Sequence, residues 1–176
     1  MKSMDFQLRD LLLIALTVSS IFVLGYILIP VMQFMPLPAY KAIVVSPIYA
    51  GGLTMLAKKI PKIGIASVLG LLIGVLLSSF FIGMLFIAFF GGVLTDLFSL
   101  VFFRGYKKRL GIQLSAAFFP AVQLPLTFYM AAYTIGGVSG EALRQPLLVV
   151  LPTALTFCLG YLASLGTYRL LERRNL

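Results

Sequence analysis

Long apolar runs separated by short basic segments dominate the chain. A helix of about 20 apolar residues crosses the roughly 30 Å hydrocarbon core of a bilayer. The pattern predicts six such spans, at residues 11–29, 42–57, 63–80, 84–103, 110–135 and 147–168. The runs are continuously apolar and do not alternate with period two, which argues against a β-barrel. The sequence therefore predicts an all-α membrane protein with a single domain, residues 1–176, built as a bundle of six transmembrane helices.

Two regions of the chain have features that bear on the shape of their predicted spans. The second span contains Pro47 followed by two glycines, which predicts a kinked or partly unwound helix. Residues 63–103 are too long for one span and carry Asp96 as their only charge. They are predicted to form two helices joined by a tight turn near residues 78–83.

The composition supports a membrane environment and excludes several kinds of chemistry. Hydrophobic residues make up 61% of the chain and charged residues only 11%, against about a quarter in soluble domains. The chain has no His, no Trp and one cysteine, Cys158. These counts exclude a disulfide framework, a Cys/His zinc site and acid–base catalysis by histidine. We expect a protein that is not an enzyme and has no metal site, with Cys158 as a small buried hydrophobic residue.

The basic residues predict the orientation. With both termini in the cytoplasm, twelve of the 14 Lys and Arg residues lie on the cytoplasmic side, and Lys41 and Arg144 lie outside. This distribution follows the positive-inside rule. The net charge of +9 is therefore interpreted as a topology signal and not as a nucleic-acid-binding surface.

Small residues and one acid stand out within the spans. Ala66, Gly70, Gly74 and Ser78 recur every four residues, which predicts close packing against another helix. Ala15 and Ser19 form a shorter stripe that could face a partner protein. Asp96 is an intramembrane acid, and such residues are functional candidates by default. Its place near a cytoplasmic helix end favours a structural ion pair or cap over a proton relay.

Polar and aromatic residues collect toward the predicted outer side. The loop at residues 30–41 contains three prolines and several large apolar side chains, so we expect it to fold over the bundle as a lid. A pocket with aromatic walls and a few polar groups is the usual form of a small-molecule site. The candidate substrate-binding residues are Gln33, Phe34, Tyr40, Lys41, Tyr49, Gln123, Tyr129, Tyr133, Glu141 and Arg144. The tyrosines among them are also typical of an interfacial aromatic belt, and Glu141 with Arg144 is also compatible with a surface ion pair.

These features together resemble a known family. The six spans, the small-residue stripe of the first span and the segment GGVLTDLFSLVFFRGYKKRLG (91–111) resemble the substrate-binding S components of energy-coupling factor (ECF) transporters. The segments KKIPKIGIASVLGLLIGVL (58–76) and GGxxTDL…YKK are similar to the MptD / Trep_Strep-like group of S components. The resemblance covers nearly the whole chain through loose motifs of small and basic residues.

The resemblance implies an importer subunit of the bacterial plasma membrane that captures a vitamin-like compound. Its implied partners are a transmembrane coupling subunit and two cytoplasmic ATPase subunits. This chain has no GxxxxGK[ST] phosphate loop, so ATP would be used by those partners and no intrinsic cofactor is expected. S components dock through small residues of the first helix, typically AxxxA, which places docking on Ala15 and Ser19. The serine departs from that pattern.

The substrate and the function class stay open at this stage. Lys41 and Arg144 could meet an anionic group, and a haem-like tetrapyrrole is one candidate, with Met, Tyr or Cys158 as the only available iron ligands. A structural or assembly membrane protein is the first alternative function. A small intramembrane enzyme is the second, although Asp96 alone does not supply a catalytic cluster.

Overall fold

The computed structural model describes residues 7–134 and 144–174. This part of the chain contains helices and no strand, which confirms the all-α fold class. The helices are α1 (Leu8–Ile27), α2 (Ile29–Met32), α3 (Lys41–Lys59), α4 (Ile65–Ser78), α5 (Gly83–Phe103), α6 (Arg109–Thr134) and α7 (Pro146–Arg173), with a 3-10 turn at Pro38–Tyr40.

The expected count of six helices is wrong for this part of the chain, which contains seven α-helices. The additional helix is the four-residue α2, which starts at Ile29 and has Pro30 in its first turn. Proline fits there because the first turn of a helix needs no intrahelical N–H donor. Five segments are long and apolar enough to cross a membrane: α1, the 3-10 turn with α3, α5, α6 and α7. Helix α4, with 14 residues, is about 21 Å long and falls short of that length.

The prolines inside the spans do not interrupt the helices. Helix α3 is continuous through Pro47, so the expected unwinding of this span is not found. Helix α6 continues through Pro120 and Pro125 over 26 residues. Both helices lie in the interior of the bundle, where neighbouring helices shield the carbonyl groups that proline leaves without a donor.

Glycines hold α4 and α5 together as a tight hairpin. A Cβ added to Gly70 would overlap the backbone carbonyl of Ala88, and one added to Gly92 would overlap the carbonyl of Ala66. A Cβ on Gly74 would lie 3.0 Å from the Leu85 backbone. The backbones of α4 and α5 therefore touch, and the close packing predicted for the small-residue stripe of α4 is confirmed.

Helices α3, α6 and α7 form the second packing unit. The hydroxyls of Thr54 on α3 and Ser164 on α7 are buried and lie 2.6 Å apart in a hydrogen bond. A Cβ on Gly160 would lie 3.2 Å from the Ala117 backbone of α6, so α7 also packs closely on α6. Helix α5 joins the two units by packing on α6, and α1 lies at the periphery, mainly against α3.

Candidate functional site

The bundle has two ends of different character. One end, called the basic end here, is formed by the first turn of α1, the loops at 60–64 and 104–108, and the last turns of α7. It carries the basic clusters of the described chain. The opposite end, called the cavity end, is formed by residues 28–40, the α4–α5 turn and the last turns of α6. Its described basic residues are Lys41 and Arg144.

Asp96 organises the basic end. Its Oδ2 accepts hydrogen bonds from the backbone N–H and the hydroxyl of Ser67, the former at 2.8 Å. Its Oδ1 accepts one from the Tyr106 hydroxyl at 2.7 Å and a longer one from the Ala66 N–H at 3.4 Å. The carboxylate of α5 thereby caps the N-terminus of α4, where free N–H groups favour a negative charge. These contacts agree with the interpretation of Asp96 as a structural cap.

The loop at 104–108 brings Tyr106 to that carboxylate. Arg104 and Gly105 have φ values of 56° and 96°, and the Gly105 N–H donates to the Ser99 carbonyl at 3.0 Å. This pair of left-handed residues ends α5 and turns the chain inward, and glycine adopts such a conformation without strain. Burial, together with the neighbouring carboxylate, raises the pKa of the Tyr106 hydroxyl. The phenol therefore stays protonated and remains a donor to Asp96.

Further contacts tie the other elements of the basic end. Lys62 forms an ion pair with Asp10 at 2.7 Å, which joins the start of α1 to the α3–α4 loop. The ring of Tyr168 on α7 lies beneath two cations, with Lys58 Nζ 5.1 Å and the Arg109 guanidinium 5.0 Å from its centroid. Three helices thus meet around one aromatic ring at this end.

The cavity end contains a cavity of about 360 Å³, within the usual range for small-molecule sites. Its walls are formed by the halves of α1, α3, α4 and α5 that lie toward the cavity end, together with the middle of α6. Most of the lining is aliphatic or aromatic. The side chains with a polar group are Tyr26, Lys41, Tyr49, Gln123 and Thr127.

Gln123 is the polar group whose environment stands out. Its side chain is 93% buried, and its Nε2 has no hydrogen-bond partner among the described residues. The absence of a side chain at Gly91 makes room for it, because a Cβ there would lie 2.7 Å from Gln123 Cγ. A buried amide without a partner costs about 1–3 kcal/mol. The amide nitrogen itself is covered by neighbouring atoms, so the unpartnered group lies beside the cavity while Gln123 contributes to its wall.

The segment between α1 and α3 covers part of this end. Ala39 is buried against Leu124 and Phe128 of α6. The Tyr40 ring meets Phe128 edge to face at 5.7 Å, and its hydroxyl donates to the Leu148 carbonyl of α7 at 3.2 Å. Met32, Pro38 and Ala39 reach the cavity. The segment thus lies over the bundle, while its role as a lid stays a prediction.

The structure brings some of the predicted binding residues together and leaves others apart. Three of them line the cavity: Lys41, Tyr49 and Gln123. Tyr40 packs beside it. Side chains on the outer surface are those of Gln33, Phe34, Tyr129, Tyr133 and Arg144. Glu141 lies outside the described residues.

The sequence pattern missed most of the cavity wall. The wall includes Phe22 and Tyr26 from α1, Leu76 from α4 and Phe80 from the α4–α5 turn. Such residues are also the usual lipid-facing side chains, so periodicity does not distinguish the two roles. The available sequence signal is Gly25, a glycine within the first predicted span. The structure places it at the cavity, where an added Cβ would meet no atom within 4 Å.

The remaining candidates are placed on outer surfaces. Ala15 and Ser19 face outward on α1, and the Ser19 hydroxyl donates to the Ala15 carbonyl at 2.9 Å. Cys158 is exposed on α7, so its expected burial is wrong. The cause is that α7 buries only a narrow face and turns the rest outward. Among the described residues, no group of three or more His, Cys, Asp or Glu side chains could hold a metal ion.

Comparison with known proteins gives no match: no protein-family model, curated protein or solved structure is similar to this chain.

Proposed function

We propose that the protein is the substrate-capturing S component of an ECF-type importer. In this proposal it crosses the bacterial plasma membrane with six helices, α4 included, and has both termini in the cytoplasm. It binds a vitamin-like or other small organic micronutrient from outside. A transmembrane coupling subunit and two cytoplasmic ATPase subunits complete the transporter, and the ATPases consume the ATP.

The cavity with its buried, unpartnered Gln123 amide is the observation that supports this function. The cavity lies at the end of the bundle away from the basic clusters. The positive-inside rule assigns the basic clusters to the cytoplasm and hence the cavity end to the outside. A purely structural membrane protein would gain nothing from an unfilled space of this size, because a cavity lowers its stability. Capture of a small molecule gives the cavity a use.

The outer face of α1 is the proposed docking surface for the coupling subunit. Ala15 and Ser19 lie there with exposed side chains, and small residues allow a second helix to approach closely. Helix α1 is also peripheral and buries only four residues, Ile14, Thr17, Val18 and Ile21. A partner helix can therefore cover this face without displacing a helix of the bundle.

The test is native mass spectrometry of the complex, gently purified from the organism that makes it. We expect a retained small molecule together with ATPase subunits. If mild extraction yields neither a small molecule nor ATPase subunits, and no compound of a metabolite library raises the melting temperature, the importer function is contradicted and an assembly role is favoured.

Two substitutions separate docking from binding. Ala15→Trp and Ser19→Trp place a large ring on the exposed face of α1, away from the cavity. We expect uptake to be lost while the retained small molecule stays bound. Loss of the bound molecule as well would remove the docking role from this face. Ser20→Trp, at an exposed position about 100° around α1 from Ser19, is the matched control for a bulky ring on this helix.

A further inference from the structure

The cavity has an open side between α1 and α4. Several of its lining side chains are also exposed on the outer surface of the bundle, and four of these flank the gap between the two helices. They are Phe22 and Tyr26 on α1, Leu76 on α4 and Phe80 in the α4–α5 turn. A side chain that both lines a cavity and lies on the surface marks its mouth. The mouth is therefore on the flank of the bundle as well as beneath the segment at 28–40.

The packing around this mouth is sparse. Helix α1 packs mainly on α3, where Gly52 admits Ile21 and Thr17, and its contact with α4 is slight. On the cavity side of α1, Gly25 faces open space, with no atom within 4 Å of an added Cβ. The gap between the outer halves of α1 and α4 is thus a passage lined by apolar side chains.

We propose that the cavity takes a mainly apolar molecule with one hydrogen-bonding or anionic group, and that this molecule enters sideways from the hydrocarbon between α1 and α4. The inference rests on the proposed function in one respect, that the cavity is a ligand site.

The chemistry of the walls selects this class of ligand. A strongly polar solute would lose its hydration at a mouth of Phe, Tyr and Leu and would find few replacement partners inside. An apolar body loses nothing on leaving hydrocarbon for this lining, in which the neutral polar side chains are few: Tyr26, Tyr49, Gln123 and Thr127. Lys41, which forms no ion pair among the described residues, adds a preference for an anionic group at the outer border.

Because the chain has no tryptophan, a single introduced Trp reports on the mouth without background from other indoles. Phe22→Trp places the reporter at the mouth. Phe86→Trp is the matched control, since Phe86 is exposed on α5 in the same half of the bundle and does not line the cavity. Both variants are reconstituted in vesicles of phosphatidylcholine with brominated acyl chains, which quench Trp on contact.

We expect bromolipid to quench both reporters to a similar extent. Dodecanoate, an apolar carboxylate, should then at least halve the quenching of Trp in Phe22→Trp and leave that in Phe86→Trp unchanged. Quenching in Phe86→Trp with none in Phe22→Trp would overturn the sideways opening. Failure of dodecanoate to protect would overturn the ligand class, and protection by lysophosphatidylcholine alone would assign the cavity to membrane lipid.

A second pair of variants blocks the mouth without disturbing the fold. Gly25→Leu fills the open space on the cavity side of α1, and Gly166→Leu makes the same change on α7, where an added Cβ also meets nothing within 4 Å. In the Phe22→Trp background, Gly25→Leu should abolish the protection by dodecanoate, and Gly166→Leu should preserve it. Equal protection in both would show that the probe acts elsewhere.

The outcomes separate this inference from the proposed function. A water-soluble molecule found with ATPase subunits in the native complex, without protection by dodecanoate, would retain the importer and remove sideways entry. Protection by dodecanoate in a protein without ATPase partners would retain the ligand site and remove the importer.

Discussion

The two ends of the bundle differ in what surrounds one polar residue at each of them. At the basic end the Asp96 carboxylate accepts hydrogen bonds from α4 and from the 104–108 loop, and Tyr168 lies beneath two cations. At the cavity end the Gln123 Nε2 is buried without a partner among the described residues, beside a cavity of about 360 Å³. The contacts of Asp96 stabilise the basic end, whereas the cavity lowers the stability of the other end and keeps space available.

This contrast shows where a change should affect folding and where it should affect binding. Substitutions at the basic end and in the helix contacts should lower the free energy of unfolding. Substitutions at the cavity end should leave that free energy unchanged or raise it, and should alter ligand retention. The following predictions test this division, from the largest expected effect on stability to the smallest.

Removing the carboxylate of the basic end should have the largest effect. Asp96→Ala leaves the buried Tyr106 hydroxyl and the part-buried Ser67 N–H without their acceptor, and the two orphaned donors cost about 3 kcal/mol together. The measurement is thermal or denaturant unfolding in a mild detergent. Asp10→Ala is the control, because the pair of Asp10 with Lys62 is partly exposed and is expected to contribute about 1 kcal/mol or less. Equal losses in both variants would contradict the central role of Asp96.

The α4–α5 contact should come next. Gly70→Ala forces a methyl group into the Ala88 carbonyl, and overpacking of this kind costs about 2 kcal/mol. Gly166→Ala adds the same methyl group to α7 in open space and should stabilise the helix by about 0.5–1 kcal/mol. Unfolding of the two variants in parallel measures the difference. Equal stabilities would mean that the two helices can separate at no cost.

Replacing the Gln123 amide should raise the free energy of unfolding, in contrast to the two substitutions above. Gln123→Met removes an unpartnered amide at constant length, so the free energy of unfolding should rise by about 1–2 kcal/mol while retention of the bound molecule falls about tenfold. Gln113→Met is a close control, since Gln113 is also buried on α6 with an unpartnered Nε2 but does not line the cavity. Native mass spectrometry of both variants gives the retained fraction. Similar retention in the two would place the ligand away from Gln123.

The aromatic contact of the basic end should have the smallest effect. Tyr168→Leu removes the ring shared by Lys58 and Arg109 and should cost about 0.5–1 kcal/mol, the usual contribution of a partly exposed cation–π contact. Unfolding of Tyr161→Leu, which changes another tyrosine of α7, corrects for the loss of ring area. A cost above that of Asp96→Ala would reverse the ranking of the contacts at this end.

Much of the fold could be predicted from the sequence because membrane helices have strong local signals. The long apolar runs indicated the positions of the long helices, and the four-residue spacing from Ala66 to Ser78 predicted the close contact of α4 with α5. The continuity of α3 through Pro47 could not be predicted, because the packing of neighbouring helices decides it. The same holds for α2, which is too short to leave a periodic pattern.

The candidate site was less accessible to sequence reasoning. Polar residues were chosen as binding candidates, and Lys41, Tyr49 and Gln123 do line the cavity. The exposed Tyr129 and Tyr133 have the same chemistry but lie on the outward face of α6. The direction of a side chain depends on the rotation of its helix within the bundle, and helices with apolar residues on all sides give little periodic signal for that rotation.

The length of α4 has a consequence for the bilayer around the protein. Its 14 residues extend about 21 Å, roughly 9 Å less than the hydrocarbon thickness. In the proposed arrangement with α4 as a sixth span, lipids beside a helix this short would relieve the hydrophobic mismatch by compressing their chains, and the membrane would thin locally. Helix α4 would present Leu71, Val75 and Leu76 to those lipids, on the flank proposed as the opening of the cavity. The headgroup layer would then lie closer to that opening, which would shorten the path of an amphiphile from the membrane surface to the cavity.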